Sequence, residues 1–204
     1  MELEIVDLTF GPEIMHIKSE NVIIGEFARN ALTELSDEEF WINPVLDNYS
    51  TDCRKEFQSY GGQIHHTKFA FWLLVNFLKN DIILSQVKRK MSVAGMLSSV
   101  LLCDINRYKY GESLHGIMTA KEIERFADDS YSTELSPWVV SLISACVQFH
   151  HNERGENVLK IKKEDMTIDV QHACQLTSNA FYIANKPYYT FDYNMIKEMK
   201  RRLL

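Results

Sequence analysis

The sequence has no paired cysteine motif. Its four cysteines, Cys53, Cys103, Cys146 and Cys174, are widely spaced and form no CxxC. In a chain of 204 residues this spacing favours free thiols over a disulfide framework or a linear zinc motif. No apolar run is long enough to span a bilayer: the longest, residues 69–78, is interrupted by Asn76 and followed by Lys79-Asn80-Asp81. The first four residues carry Glu2 and Glu4 where a signal peptide would carry bases, so a cytoplasmic, non-membrane protein is expected. Positive charge is not in excess either. A net charge of -6 works against binding of long duplex nucleic acid, where many phosphates must be neutralised, but leaves small anionic ligands open. Internal repeats and low-complexity stretches are absent.

The content is 46% hydrophobic and 11% aromatic, enough for one substantial core. Residues 2–10 alternate loosely, with Leu3, Ile5, Leu8 and Phe10 apolar, which suggests a short strand stopped by Gly11-Pro12. Helical periods follow over 26–35 and from Ser36-Asp37-Glu38-Glu39, which reads as an N-cap with a glutamate three residues on, to just before Pro44. Further helices are expected over 64–79, 88–104, 119–127, from Pro137 to His150-His151, over 167–184 and, beyond Pro187, over 193–204. Thr119 to Glu122 fits a capping box, and Ser136-Pro137 supplies a cap and a first-turn proline. The expected class is all-α, a single-domain helical bundle with a helical extension over 1–58 and the main unit over 59–204.

The organising stretch is Gly61-Gly62-Gln63-Ile64-His65-His66-Thr67, which sets a histidine pair at the mouth of the most apolar run. If this run is a helix, His66, Ala70, Leu73 and Phe77 share a face, so the His66 imidazole lies at the edge of the core. Asp104 ends a second apolar helix on the face of Val93, Leu97, Val100 and Leu101. An unpaired carboxylate there is costly, so it must be exposed, hydrogen-bonded, or matched by a cation or metal. His150-His151 ends a third helix and His115 lies between the last two. Imidazole and carboxylate gathered at helix ends make a metal site, although nothing in the spacing alone requires them to converge. Plainer readings exist for each. His66 can pack under Trp72, Asp104 can pair with Arg107 or Lys109, Cys103 can fill core space, and His150-His151 can complement the helix dipole. The aromatic residues Tyr188, Tyr189, Phe191 and Tyr193 can stack a base or staple a terminal helix to the core.

Taken together, Tyr60 to Thr67, then Leu101-Leu102-Cys103-Asp104-Ile105, His115-Gly116 and Phe149-His150-His151 resemble the HD-domain metal-dependent phosphohydrolases. The likeness is greatest to the branch whose first motif is Gly-Gly-Leu-x-x-His-Thr, and it covers roughly residues 60–185. It implies a helical bundle that hydrolyses a phosphoester of a nucleotide or short oligonucleotide, using manganese, iron, nickel, magnesium or zinc. Carried over by position, His66 is the first metal ligand, Asp104 the aspartate of the His-Asp doublet, and His115 with His150 or His151 the later histidines. His65, His151 and Lys109 are candidates for proton transfer or charge stabilisation. The sequence departs from the family at two positions. Cys103 replaces the doublet histidine, and as a thiolate ligand it would favour zinc. Ser178 stands near where the closing aspartate is expected, with Asp169 about nine residues early. The departures keep a second reading open, a degenerate HD-like fold that binds a ligand or partner without turnover. The oligomeric state is left open, a homo-oligomer included.

Overall fold

A computed structural model describes residues 1–44, 55–79, 90–150 and 168–184, and the secondary structure of these residues is helical. The elements are α1 (Leu3–Glu20), α2 (Val22–Leu35), α3 (Glu38–Ile42), a 3-10 turn (Lys55–Gln58), α4 (Gly62–Leu78), α5 (Lys90–Leu102), α6 (Arg107–Tyr110), α7 (His115–Tyr131), α8 (Pro137–Phe149) and α9 (Ile168–Ala184). The expected features at Cys53, His151, Pro187, the aromatic cluster 188–193 and the terminal helix 193–204 lie outside the described residues. None of the described helices is long and apolar enough to cross a membrane.

The N-terminal strand expected from the sequence is instead the first half of α1, and Gly11-Pro12 lies inside that helix. The apparent alternation mixed residues of opposite faces. Leu3, Ile5 and Leu8 are exposed, whereas Val6, Phe10, Ile14 and Ile17 recur at helical spacing and are buried. An internal proline costs about 3 kcal/mol. Fully burying four large apolar side chains contributes about 2 kcal/mol each, so the core contacts prevail.

Helix α2 starts earlier than its periodicity suggested, because the Asn21 side chain accepts from the Ile24 amide. The cap of α3 is Asp37 rather than Ser36. Asp37 Oδ1 accepts from the amides of Glu39 and Phe40, while Ser36 donates back to the Leu32 carbonyl and accepts from Trp41 Nε1. The Thr119 capping box is also absent: α7 begins at His115, and Thr119 is buried within it. The Ser136 cap and Pro137 at the first turn of α8 are both present.

One continuous apolar cluster runs from Val6 on α1 to Ala184 on α9, drawing on α2, α4, α5, α7 and α8. Helix α9 packs against α4, α5 and α8, α5 packs against α4 and α8, and α7 lies along α8. This arrangement brings four chain segments to one place: the first turn of α4, the corner after α5, the start of α7 and the end of α8.

Two glycines set that convergence. Gly61 adopts φ +71°, a left-handed turn that suits glycine, and its amide donates to the Ile42 carbonyl at 2.9 Å. Gly116, beside His115, lets α7 approach the α8 backbone. A Cβ there would sit 3.0 Å from the Gln148 carbonyl oxygen and 3.1 Å from that of Val147. This is the approach that brings His115 to His150.

Candidate metal centre

Asp104 lies in the bend that follows α5, fully buried, at the centre of the convergence. Its Oδ1 is 3.1 Å from His150 Nε2 and 3.2 Å from His115 Nε2. The two Nε2 atoms are themselves 3.2 Å apart. Three ligand atoms from three segments thus form a nearly equilateral triangle, and the group can hold a metal ion.

The opposite ring nitrogens define the protonation pattern. His115 Nδ1 lies 3.0 Å from the Gly111 carbonyl oxygen and His150 Nδ1 2.6 Å from that of Val147. A carbonyl only accepts, so each Nδ1 carries a hydrogen, and the neutral form of each ring turns an Nε2 lone pair toward the centre. Two lone pairs and a carboxylate oxygen at about 3 Å separation repel unless a cation, a proton or a metal ion, sits among them. Metal-ligating histidines commonly donate their other ring N–H to a backbone carbonyl in this way.

The dimensions fit an ion as well. Ligands about 2.1 Å from a metal lie about 3.0 Å apart at right angles and about 3.4 Å apart in a tetrahedron. The observed edges of 3.1, 3.2 and 3.2 Å fall between these values.

The other oxygen, Asp104 Oδ2, accepts from Gln63 Nε2 at 2.8 Å and faces His66 Nδ1 at 3.6 Å. His66 is fully buried, and neither of its ring nitrogens has a hydrogen-bond partner among the described residues. Its ring does not pack under Trp72. It sits edge-on between Phe57 and Phe181, with centroids at 5.2 and 5.4 Å, and Phe181 also meets the His150 ring at 5.2 Å. This imidazole, without a hydrogen-bond partner but close to the carboxylate, lies outside the convergent group of three donors.

The remaining residues named from the sequence lie differently. Cys103 adjoins Asp104 in sequence, but its thiol belongs to the apolar core, and burial, reinforced by the Asp104 charge, pushes its pKa well above the usual thiol value. Cys103 is not among the three convergent donors. His65 is exposed on α4, one residue round from His66. The Lys109 ammonium, on a side chain 47% exposed, bonds Glu122 at 2.8 Å, and that hydrogen bond raises its pKa. Ser178 is buried on α9, one turn before Phe181. Asp169 lies in the first turn of α9, about 18 Å along the axis from Phe181 at 1.5 Å per residue.

Two contributors escaped the sequence reading. Gln63, inside the first motif, orients the carboxylate, and Gly111, at φ +76°, presents the carbonyl that orients His115. The Gln63 contact spans 41 residues, beyond any local pattern, whereas Gly111 lies four residues before His115. No family model, curated protein or solved structure matches this chain.

Proposed function

We propose that this protein is a metal-dependent phosphohydrolase of the HD-domain kind, acting on a phosphoester of a nucleotide or short oligonucleotide. The observation that carries the proposal is the donor triangle of Asp104, His115 and His150, with the unpartnered His66 beside it. The order of these residues along the chain matches the family resemblance of the sequence.

In this reading Asp104, His115 and His150 hold the ion, and His66 binds on the Oδ2 side of the same carboxylate. A bound divalent ion supplies charge neutralisation for the phosphate oxygens and lowers the pKa of water. The chain's own groups prepare the site for that ion. Gln63 fixes the carboxylate rotamer, and the Gly111 and Val147 carbonyls fix both imidazole tautomers, so the three donors are oriented before the ion arrives. Phe181 and Phe57 line the His66 side with apolar surface, which lowers the local dielectric and strengthens charge interactions there.

A second reading is favoured by burial. Asp104, His115 and His66 are 0% exposed and His150 2%, as in a closed, non-catalytic metal site, and Ser178 stands where the family has a carboxylate. This reading predicts metal binding without turnover.

The two readings separate in one experiment. Metal-free protein would be loaded in turn with manganese, iron, nickel, zinc and magnesium. Each form would be assayed on nucleoside mono-, di- and triphosphates, cyclic nucleotides and short oligonucleotides. The proposal expects phosphate or nucleotide release with at least one metal, abolished by chelator. Stoichiometric metal without turnover on any substrate would support the closed site instead. Failure to bind any metal would end both.

A further inference from the structure

The bend that carries Asp104 and the Gly111 carbonyl, residues 104–111, is anchored by a carboxylate remote from the centre. Glu122, on α7, accepts from Asn106 Nδ2 at 2.6 Å, from Lys109 Nζ at 2.8 Å and from the Tyr110 hydroxyl at 2.5 Å. Three donors from one five-residue stretch thus end on a single side chain. Glu122 lies seven residues after His115, two turns along α7 and on nearly the same face. The helix that presents His115 therefore also clamps the bend that presents Asp104.

The buried member of this clamp is Asn106, two residues from Asp104 and fully enclosed. Its side-chain amide donates to Glu122, and its main chain is joined to that of Asp104 through a single intervening residue. The outer side of the same bend is tied to the cap of α3: the Asp37 amide donates to the Ile105 carbonyl at 3.0 Å, and the Lys109 amide donates to Asp37 Oδ2 at 2.9 Å. The bend is thus held from two directions, and Glu122 ties its middle to the helix that carries a second donor, as the Gly111 carbonyl ties its end through His115.

We infer that Glu122 is a positioning residue for the metal centre, setting the distance between Asp104 Oδ1 and His115 Nε2 through its bonds to Asn106, Lys109 and Tyr110. This inference rests on the metal reading above and adds a residue that neither the sequence resemblance nor the donor triangle identifies. It also gives the Lys109 ammonium a structural partner in Glu122.

The test is cobalt(II) binding to the full chain. Affinity would be read by competition with a chromophoric chelator, and ligand geometry by the visible absorption spectrum. Loss of an outer-shell partner typically lowers metal affinity 10–100-fold. Glu122 bonds no donor directly and so stands at the low end: Glu122→Ala is expected to bind cobalt about 10-fold more weakly, with a changed spectrum. Glu122→Gln, which keeps one acceptor oxygen for Asn106, is expected to fall between it and the wild type. Because Glu122 acts through Asn106, the Asn106→Ala and Glu122→Ala losses should be less than additive in the double variant. Leu32→Ala in the α2 core serves as the control for destabilisation and should leave affinity and spectrum unchanged. Wild-type affinity and spectrum in Glu122→Ala would overturn the inference alone, as would an equal loss in Leu32→Ala. Absence of cobalt binding by the wild type would overturn both this inference and the metal reading.

Discussion

Asp104→Ala is expected to abolish stoichiometric metal binding and, with it, the metal-dependent rise in thermal stability. The substitution removes the side chain that reaches four neighbours: Oδ1 meets the Nε2 atoms of His115 and His150, and Oδ2 meets Gln63 and faces His66. Loss of an outer-shell partner lowers metal affinity 10–100-fold, so removal of a donor shared by two histidines should exceed about 100-fold. The readout is the melting temperature with metal and with chelator. A ligand at a hundred times its dissociation constant stabilises the native state by about 2.7 kcal/mol, a shift of several degrees for a chain of this size. The wild type should show that shift and Asp104→Ala should not. Leu32→Ala, a core variant, should melt lower yet keep the shift. A metal-dependent rise preserved in Asp104→Ala would place the ion elsewhere.

The second large effect concerns Gly62, where the backbone leaves no room for a side chain. A Cβ at this position would fall 2.0 Å from the Phe57 carbonyl oxygen and 2.6 Å from its carbon. Both atoms are main chain, so relief requires moving the Lys55–Gln58 turn or the start of α4. Gly62→Ala should therefore lose about 3–5 kcal/mol in denaturant unfolding, the range reached by severe overpacking and loss of specific backbone geometry. The adjacent Gly61 provides the contrast. It has open space around it and a left-handed φ of +71°, so Gly61→Ala should cost only about 1–2 kcal/mol. Equal losses at the two positions would contradict this account of the turn. Because Phe57 packs on the His66 ring, Gly62→Ala should also loosen the Oδ2 side of the metal centre.

The long apolar helices could be read from the sequence because their signals are local. The Ser136 hydroxyl and Pro137 mark the start of α8, and the Gly61-Gly62 turn marks the start of α4, within a few residues of their positions in the fold. Helix α1 was hidden because Gly11 and Pro12 are read as breakers. Only the burial of Phe10, Ile14 and Ile17 on the far side of the helix outweighs them. The start of α7 was obscured in a different way. Glu122 resembled half of a capping box, yet its carboxylate serves Asn106, Lys109 and Tyr110.

At the site, chemistry was legible and geometry was not. His66, Asp104 and His150 stood out as polar residues at the edges of apolar runs, where an unpaired charge is expensive, and His115 as a histidine on the segment between two of them. Which atoms share a centre depends on residues 35 and 46 positions apart, and no spacing rule reaches that far. The same limit explains Cys103. One residue from Asp104, it looks equivalent in the sequence, but the bend after α5 sends the carboxylate to the histidines and the thiol into the apolar core.

The most direct measurement is anomalous diffraction from crystals grown with manganese or zinc, recorded at the absorption edge of the metal. The account predicts a full-occupancy peak bonded to Asp104 Oδ1, His115 Nε2 and His150 Nε2 together. An intact triangle with no peak, or with the only ordered ion bound to other side chains, would contradict it.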